Sequence, residues 1–359
     1  MRCFRPLVLV ATVLAFGVIA LGAYVRLKDA GLGCPDWPGC YGHLIGVPDA
    51  PHELARAEER FPDQPVVAAK AWTEMAHRYL AGTLGLLIAA IAVQAWRQRA
   101  TTGRSPALAT ALLVTVAFQA LLGMWTVTLL LKPAIVTAHL LGGMTTLALL
   151  LSLLHSANEA RHTGESDRRE CRARYPASES MRRNKELSGI RDNLPASLRL
   201  HGALALLAVI LQIALGGWVS TNYAALACRD FPTCNGLWLP EMDFSHAYRI
   251  LRELGQTADG EPLPYAALTA MHWTHRLGAL LVTVIVGSLA ARLFTRPDWR
   301  RYGTLLGGAL LVQIGLGISA VAFFLPLSVA VAHNAGAAAL LCMTLAVNLR
   351  LWKHAPAQP

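Results

Sequence analysis

The chain has 359 residues, 54% of them hydrophobic and 15% charged, with a formal net charge of +10. Soluble domains average roughly 25% charged residues. That shortfall, with a mean hydropathy of +0.42, argues against a soluble enzyme and excludes a disordered chain, a collagen-like repeat and a small disulfide-stapled secreted domain. In chain order the apolar residues gather in eight runs, near 6–26, 70–96, 106–130, 133–155, 198–220, 266–294, 302–324 and 327–352. Each is about as long as a helix needs to be to cross a bilayer. Arg2 and Arg5 precede the first run as in a signal peptide, but the run exceeds an h-region of roughly 7–15 residues and is read as a retained span. The expected fold class is an all-α membrane protein with eight transmembrane helices.

An even number of spans puts both termini on one side. Twenty-one Lys and Arg fall in segments on that side, nine in the opposite segments, and Arg78 and Arg276 within spans. The positive-inside rule then makes the termini cytoplasmic, in a bacterial inner membrane. The uneven distribution accounts for the basic charge as a topology signal, so no nucleic-acid partner is expected, and the partner throughout is membrane lipid. The stretch from Arg161 to Arg199 is polar, basic and without helical periodicity. It reads as a solvated cytoplasmic linker, 158–198, with binding to anionic lipid or to a partner as the competing reading.

The two halves repeat one another. At a shift of 194 residues, Gly22 meets Gly216, Cys34 meets Cys228, Asp36 meets Asp230, Pro38 meets Pro232, Cys40 meets Cys234, Gln119 meets Gln313, Gly123 meets Gly317 and His139 meets His333. His77-Arg78 meets His275-Arg276 at a shift of 198. The expected organisation is two pseudosymmetric four-helix bundles, 1–157 and 199–359. Four spans per unit make the repeats parallel.

Cys34 and Cys40, and likewise Cys228 and Cys234, frame Cys-x-Asp-aromatic-Pro-x-Cys just past the outer end of a span. An oxidising outer compartment permits disulfides there, and both pairs are read as bonds that pin a loop. The competing readings are a metal pair, short of the four ligands of a structural zinc site, and a reversible redox couple. Cys3, Cys171 and Cys342 are left as free thiols.

Five histidines fall within apolar spans: His77, His139, His272, His275 and His333. Ionisable residues at such depth are costly and mark function. At 1.5 Å per residue, His77 and His139 each lie about 10 Å inside their spans, and His275 and His333 match them. Two imidazoles at one height on parallel helices of a four-helix core make a bis-histidine axial site for heme. Small residues beside the fourth-helix histidines (Gly142 and Gly143; Gly336, Ala337 and Ala338) leave room for a flat macrocycle, or serve ordinary helix packing. Arg78 and Arg276 are positioned for heme propionates, with snorkelling to headgroups as the competing reading. The halves differ three residues before the second-helix histidine, where Glu74 stands in one and His272 in the other. A carboxylate moves protons or stabilises developing positive charge, which favours chemistry in the N-terminal half.

The runs Gly22-Ala23-Tyr24-Val25-Arg26-Leu27 and Gly31-Leu32-Gly33-Cys34-Pro35-Asp36-Trp37-Pro38-Gly39-Cys40, with Glu74-x-x-His77-Arg78, Ala138-His139, His272-x-x-His275-Arg276 and Ala332-His333-Asn334, resemble the heme A synthase family over nearly the whole chain. The resemblance implies oxidation of a heme O methyl group to formyl by successive hydroxylations, giving heme A for cytochrome oxidase. It implies heme b as cofactor in the C-terminal bundle, on His275 and His333. The substrate heme falls to His77 and His139, and the family's acidic residue, the candidate catalytic residue, to Glu74. The disulfides map to Cys34–Cys40 and Cys228–Cys234. A complex with the heme O-producing farnesyltransferase is expected from the same relation. The alternative function is a diheme b-type membrane electron-transfer cytochrome; a third class is a non-catalytic assembly or transport scaffold.

Overall fold

A computed structural model describes residues 4–102, 105–172 and 195–353. It is built from helices, with no strand among the described residues. Eight of them are long and apolar enough to cross a membrane: α1 (Phe4–Leu27), α3 (Ala68–Thr102), α4 (Ala107–Thr128), α5 (Pro133–Arg172), α6 (Ala196–Thr221), α8 (Tyr265–Phe294), α9 (Arg300–Ala322) and α10 (Leu327–Lys353). Two short helices lie between spans, α2 (Pro51–Arg60) and α7 (Phe244–Ala247). The spanning helices coincide with the eight apolar runs, because in hydrocarbon only a helix satisfies its own backbone.

The stretch read as a linker begins differently from the expectation. Helix α5 continues to Arg172, well into the 158–198 segment, so its first third is helical rather than irregular. Residues 173–194 lie outside the described residues, and the last three of the segment, 196–198, already belong to α6. Cys3 and the side chain of Cys171 also lie outside them; Cys342 carries a free thiol.

Helices α1, α3, α4 and α5 pack each against the next in a ring, and α6, α8, α9 and α10 form the equivalent ring. The rings meet where α1 and α5 lie on α10 and where α5 lies on α6. Away from the disulfide loops they share one apolar core that includes Val8, Ile88 and Leu147 of one half and Leu198, Leu289 and Leu351 of the other.

The repeat extends to the backbone. Left-handed residues occur in matched pairs, Asp29 with Tyr223, Tyr41 with Asn235, Leu130 with Phe324 and Leu131 with Leu325, each 194 apart. The last two pairs make the tight turns α4–α5 and α9–α10. Pro133 then starts α5, where a missing N–H costs nothing, and Pro326 immediately precedes α10. Two pairs of equivalent residues also touch across the halves. Arg26 Nη2 donates to the Ser220 carbonyl at 2.9 Å, and the Tyr223 hydroxyl donates to Asp29 Oδ1 at 2.7 Å. Arg26 also lies over the Tyr223 ring, 3.8 Å from its centroid. Contact between equivalent positions places the pseudo-two-fold axis there, as in parallel repeats.

Each disulfide closes a six-residue step with its Cα atoms 4.7 Å apart at Cys34–Cys40 and 4.6 Å apart at Cys228–Cys234. The loop aspartate caps the turn that follows: Asp36 Oδ2 accepts from Gly42 N at 2.7 Å, and Asp230 Oδ2 accepts from Gly236 N at 3.0 Å. The Thr233 hydroxyl and these backbone N–H groups hold the Asp230 carboxyl below its ordinary range. Tyr41-Gly42 and Asn235-Gly236 are the central residues of these turns, all at positive φ, which suits glycine and asparagine.

Both pairs being bonded, alkylation before reduction should leave Cys34, Cys40, Cys228 and Cys234 unlabelled, and reduction should expose all four. A loop this short gives each bond about 2 kcal/mol, the low end of the usual contribution. Free labelling of either pair without reductant would break the assignment.

Candidate functional site

The sequence places four histidines at matched heights, and the fold turns them inward in pairs. His77 on α3 and His139 on α5 lie within electrostatic range of each other, as do His275 on α8 and His333 on α10. All four are partly buried.

Each imidazole rests on a glycine of a neighbouring helix. A Cβ added at Gly22 of α1 would stand 3.1 Å from His77 Cε1, and at Gly123 of α4 3.4 Å from His139 Cε1. At Gly216 of α6 and Gly317 of α9 it would stand 3.0 Å from Cε1 of His275 and of His333. Glycine therefore lets the ring lie against the helix backbone. Three glutamines secure the histidine backbone. Gln119 Nε2 donates to the His139 carbonyl at 2.8 Å, Gln313 Nε2 to that of His333 at 3.1 Å, and Gln212 Nε2 to that of His275 at 2.9 Å. The glycine floors and glutamines carry no role in the sequence reading, although Gly22–Gly216, Gly123–Gly317 and Gln119–Gln313 recur there at the repeat distance. That recurrence beside the histidines was the available signal.

Glu74 and His272, the pair that differs between halves, occupy one structural position. Each is 4% exposed and ties the first cysteine of the disulfide loop to the second helix. Glu74 Oε2 accepts from Cys34 N at 2.9 Å while Oε1 pairs with Arg78. His272 Nδ1 accepts from Cys228 N at 3.3 Å, and its Nε2 lies 3.2 Å from Arg276 Nε. The loop reaches Glu74 because Gly33 lies on the first turn of α3, where a Cβ would be 2.7 Å from the Lys70 carbonyl carbon.

The two arginines point into these loops. Arg78 Nη1 donates to the Asp36 carbonyl at 2.8 Å, to that of Pro38 at 3.3 Å and to that of Gly39. Arg276 donates to Thr233 O at 2.7 Å and Cys228 O at 3.1 Å. Both guanidinium groups thus hold the loop over the histidine pair.

The residues fit heme. Nδ1 of His77, His139 and His333 is buried without a hydrogen-bond partner among the described residues, and no group of three or more His, Cys, Asp or Glu converges on a common point among them. Paired neutral imidazoles without further ligands suit an iron whose other four positions are filled by a macrocycle.

These features define a class: a polytopic helical membrane protein whose two repeated rings of four helices each turn a pair of histidines inward. Within that class, the chain matches the cytochrome oxidase assembly protein family over residues 5–345 and belongs to it. It is similar to the heme A synthase of Shewanella oneidensis, 41% identical over 336 residues that cover 93% of this chain and 92% of that protein. The heme A synthase of a Caulobacter species is 28% identical over 364 residues, covering 94% and 93%. That of Halalkalibacterium halodurans is 23% identical over 344 residues, covering 92% and 91%. The chain is a multi-pass membrane protein of this family.

Valine at Gly216 would press on the His275 ring from 3.0 Å and displace it. Gly216→Val should reach the membrane in normal amount yet lose most of its heme absorbance. A full heme complement in that variant would mean that the floor does not set the ring.

Proposed function

We propose that the protein is a heme A synthase that oxidises a methyl group of heme O to a formyl group for use in cytochrome oxidase. Two successive hydroxylations each replace C–H with C–OH at one carbon, two electrons passing each time to an oxidant supplied from outside the chain, and the resulting geminal diol loses water to leave the aldehyde. The observation that carries this reading is the difference between two otherwise matched sites: a carboxylate, Glu74, stands beside one histidine pair, and an imidazole, His272, beside the other. The family relatives named as heme A synthases support it.

In this reading the N-terminal bundle, 1–157, binds heme O through His77 and His139. The C-terminal bundle, 199–359, holds heme b on His275 and His333, where the bound heme supplies one-electron chemistry. Glu74 is one helical turn from His77, on the same face of α3. Arg78 and the Cys34 N–H fix its two oxygens, and each keeps a lone pair to accept a proton or orient water. Arg78 and Arg276 hold the loops that close the two sites and would offer positive charge to the carboxylates of a bound heme. The protein spans the bacterial inner membrane with both termini cytoplasmic, in reach of the farnesyltransferase that makes its substrate.

A diheme electron-transfer cytochrome would also use two histidine pairs, but it has no use for a carboxylate at only one. Expression alongside a heme O producer, followed by chromatography of the extracted hemes, should yield heme A; heme O alone would favour the electron carrier. In the same assay Glu74→Gln should retain the C-terminal heme b but form little or no heme A, with heme O or the alcohol accumulating. Normal heme A from that variant at equal expression would remove Glu74 from the chemistry.

His275→Ala or His333→Ala should each abolish most of the tightly held low-spin heme, because two imidazoles are needed to fill both axial positions. Retention in both would place the cofactor elsewhere.

A further inference from the structure

Three of the four inward histidines are served by a glutamine, and the fourth is not. The three glutamines occupy the same local arrangement. Each lies against a glycine three residues after its histidine, and a Cβ there would stand 2.2 Å from Oε1 of Gln212 at Gly278, 2.3 Å from that of Gln119 at Gly142, and 2.2 Å from that of Gln313 at Gly336. Any other residue at these glycines would evict the amide. While Nε2 donates to the histidine carbonyl, the glutamine Oε1 is buried and without a partner in all three cases among the described residues. Gln212 also reaches the ring itself, with Nε2 3.0 Å from His275 Nδ1.

An imidazole that binds metal through Nε2 carries its proton on Nδ1 and needs an acceptor there. An amide chooses between its oxygen and nitrogen according to the network around it. Gln212 is within reach to serve His275 in this way. Gln119 and Gln313 fix their histidines through the backbone carbonyl, which holds the ligand turn of the helix in place.

His77 has no such support. The α1 position that matches Gln212 at the repeat distance is Val18, and the position three residues after His77 is Leu80 where its repeat has Gly278. Val18 is buried and apolar. Among the described residues no glutamine donates to the His77 carbonyl, whereas those of His139, His275 and His333 each accept one.

We propose that Gln212, Gln119 and Gln313 are positioning residues that lock His275, His139 and His333 as axial ligands. By the same logic His77, denied an amide by Val18 and Leu80, is the exchangeable ligand that releases iron when the substrate heme enters and the product leaves. The proposal rests on the assignment of the N-terminal bundle to the substrate. A cofactor site gains from two locked ligands. A site that must discharge its heme at every turnover gains from one locked ligand, His139, and one that lets go.

The test uses the purified heme-loaded protein and reads heme transfer to excess apomyoglobin together with the midpoint potential of the b-type heme. Gln212→Leu should speed loss of heme b by about 10–100-fold, the usual effect of removing a partner behind a metal-bound histidine, and raise its potential. Gln212→Glu, which keeps an acceptor, should restore slow loss and set the potential below that of the unaltered protein. If Gln212→Leu does not accumulate in the membrane, Gln313→Leu strips the other ligand of the same heme and carries the same expectation. The converse variant, Val18→Gln with Leu80→Gly, should slow release of heme O from the N-terminal half and reduce carbon monoxide binding there, leaving the heme b spectrum unchanged. Unaltered loss and potential in the glutamine variants, or unaltered heme O release in the converse variant, would overturn the proposal. An unaltered protein that holds no b-type heme would instead overturn the assignment beneath it.

Discussion

An imidazole inside an apolar span has to be given a site, because hydrocarbon offers it nothing. Here the site is made by bringing helices closer together than ordinary side chains allow. Gly22, Gly123, Gly216 and Gly317 each accept a histidine ring edge-on from the next helix. Ring position and helix spacing are thereby one constraint. It fixes α1 and α4 on either side of the His77–His139 pair, and α6 and α9 on either side of His275–His333. The ring order of each bundle follows from it, as does the need for a second set of glycines, Gly142, Gly278 and Gly336, where the glutamines pass.

The disulfide loops complete the sites from one end of the bundle. Their anchoring is double in each half: the arginine beside the ligand holds loop carbonyls, and the residue a turn earlier holds the N–H of the first cysteine. Glu74 therefore has a structural task whatever its chemistry. The two roles are compatible, since a carboxylate fixed by one guanidinium and one amide has a defined direction for its remaining lone pairs. His272 performs the same anchoring as a neutral acceptor, which shows that the anchoring alone does not require a carboxylate.

Much of this was legible in the sequence. The spans were, because about twenty consecutive apolar residues have few other uses. The repeat, the cysteine pairs and the histidines at one depth were also legible, because a fixed offset between halves is a local property of the chain. What was missed depends on side-chain direction or on contacts between distant helices. The continuation of α5 to Arg172 lacks an apolar face to announce it. Helix α2 is short and polar, with Pro51 at its start and Glu53 capping it by accepting from Asp49 N at 3.2 Å and Ala50 N at 3.3 Å. The sequence alone leaves Arg78 and Arg276 between propionates and headgroups, and the fold adds their bonds to the loop carbonyls. The glycine floors and glutamines were visible as repeated letters but had no meaning until the helices were placed.

The contacts on the pseudo-two-fold axis explain why the halves differ where they do. In a symmetric pair of identical units, a residue on the axis meets its own copy, so two Asp29 side chains or two Arg26 side chains would face one another and repel. With both units in one chain, each axial position carries two different residues. Asp29 then faces a tyrosine hydroxyl, and Arg26 faces the Ser220 carbonyl and the Tyr223 ring. The same freedom acts around the histidines. A duplicated ring of identical units would give both histidine pairs the same anchor and the same backing. Fusion lets one ring keep Gln212, Gly278 and His272 and the other carry Val18, Leu80 and Glu74, so a single fold offers two histidine pairs with different neighbours.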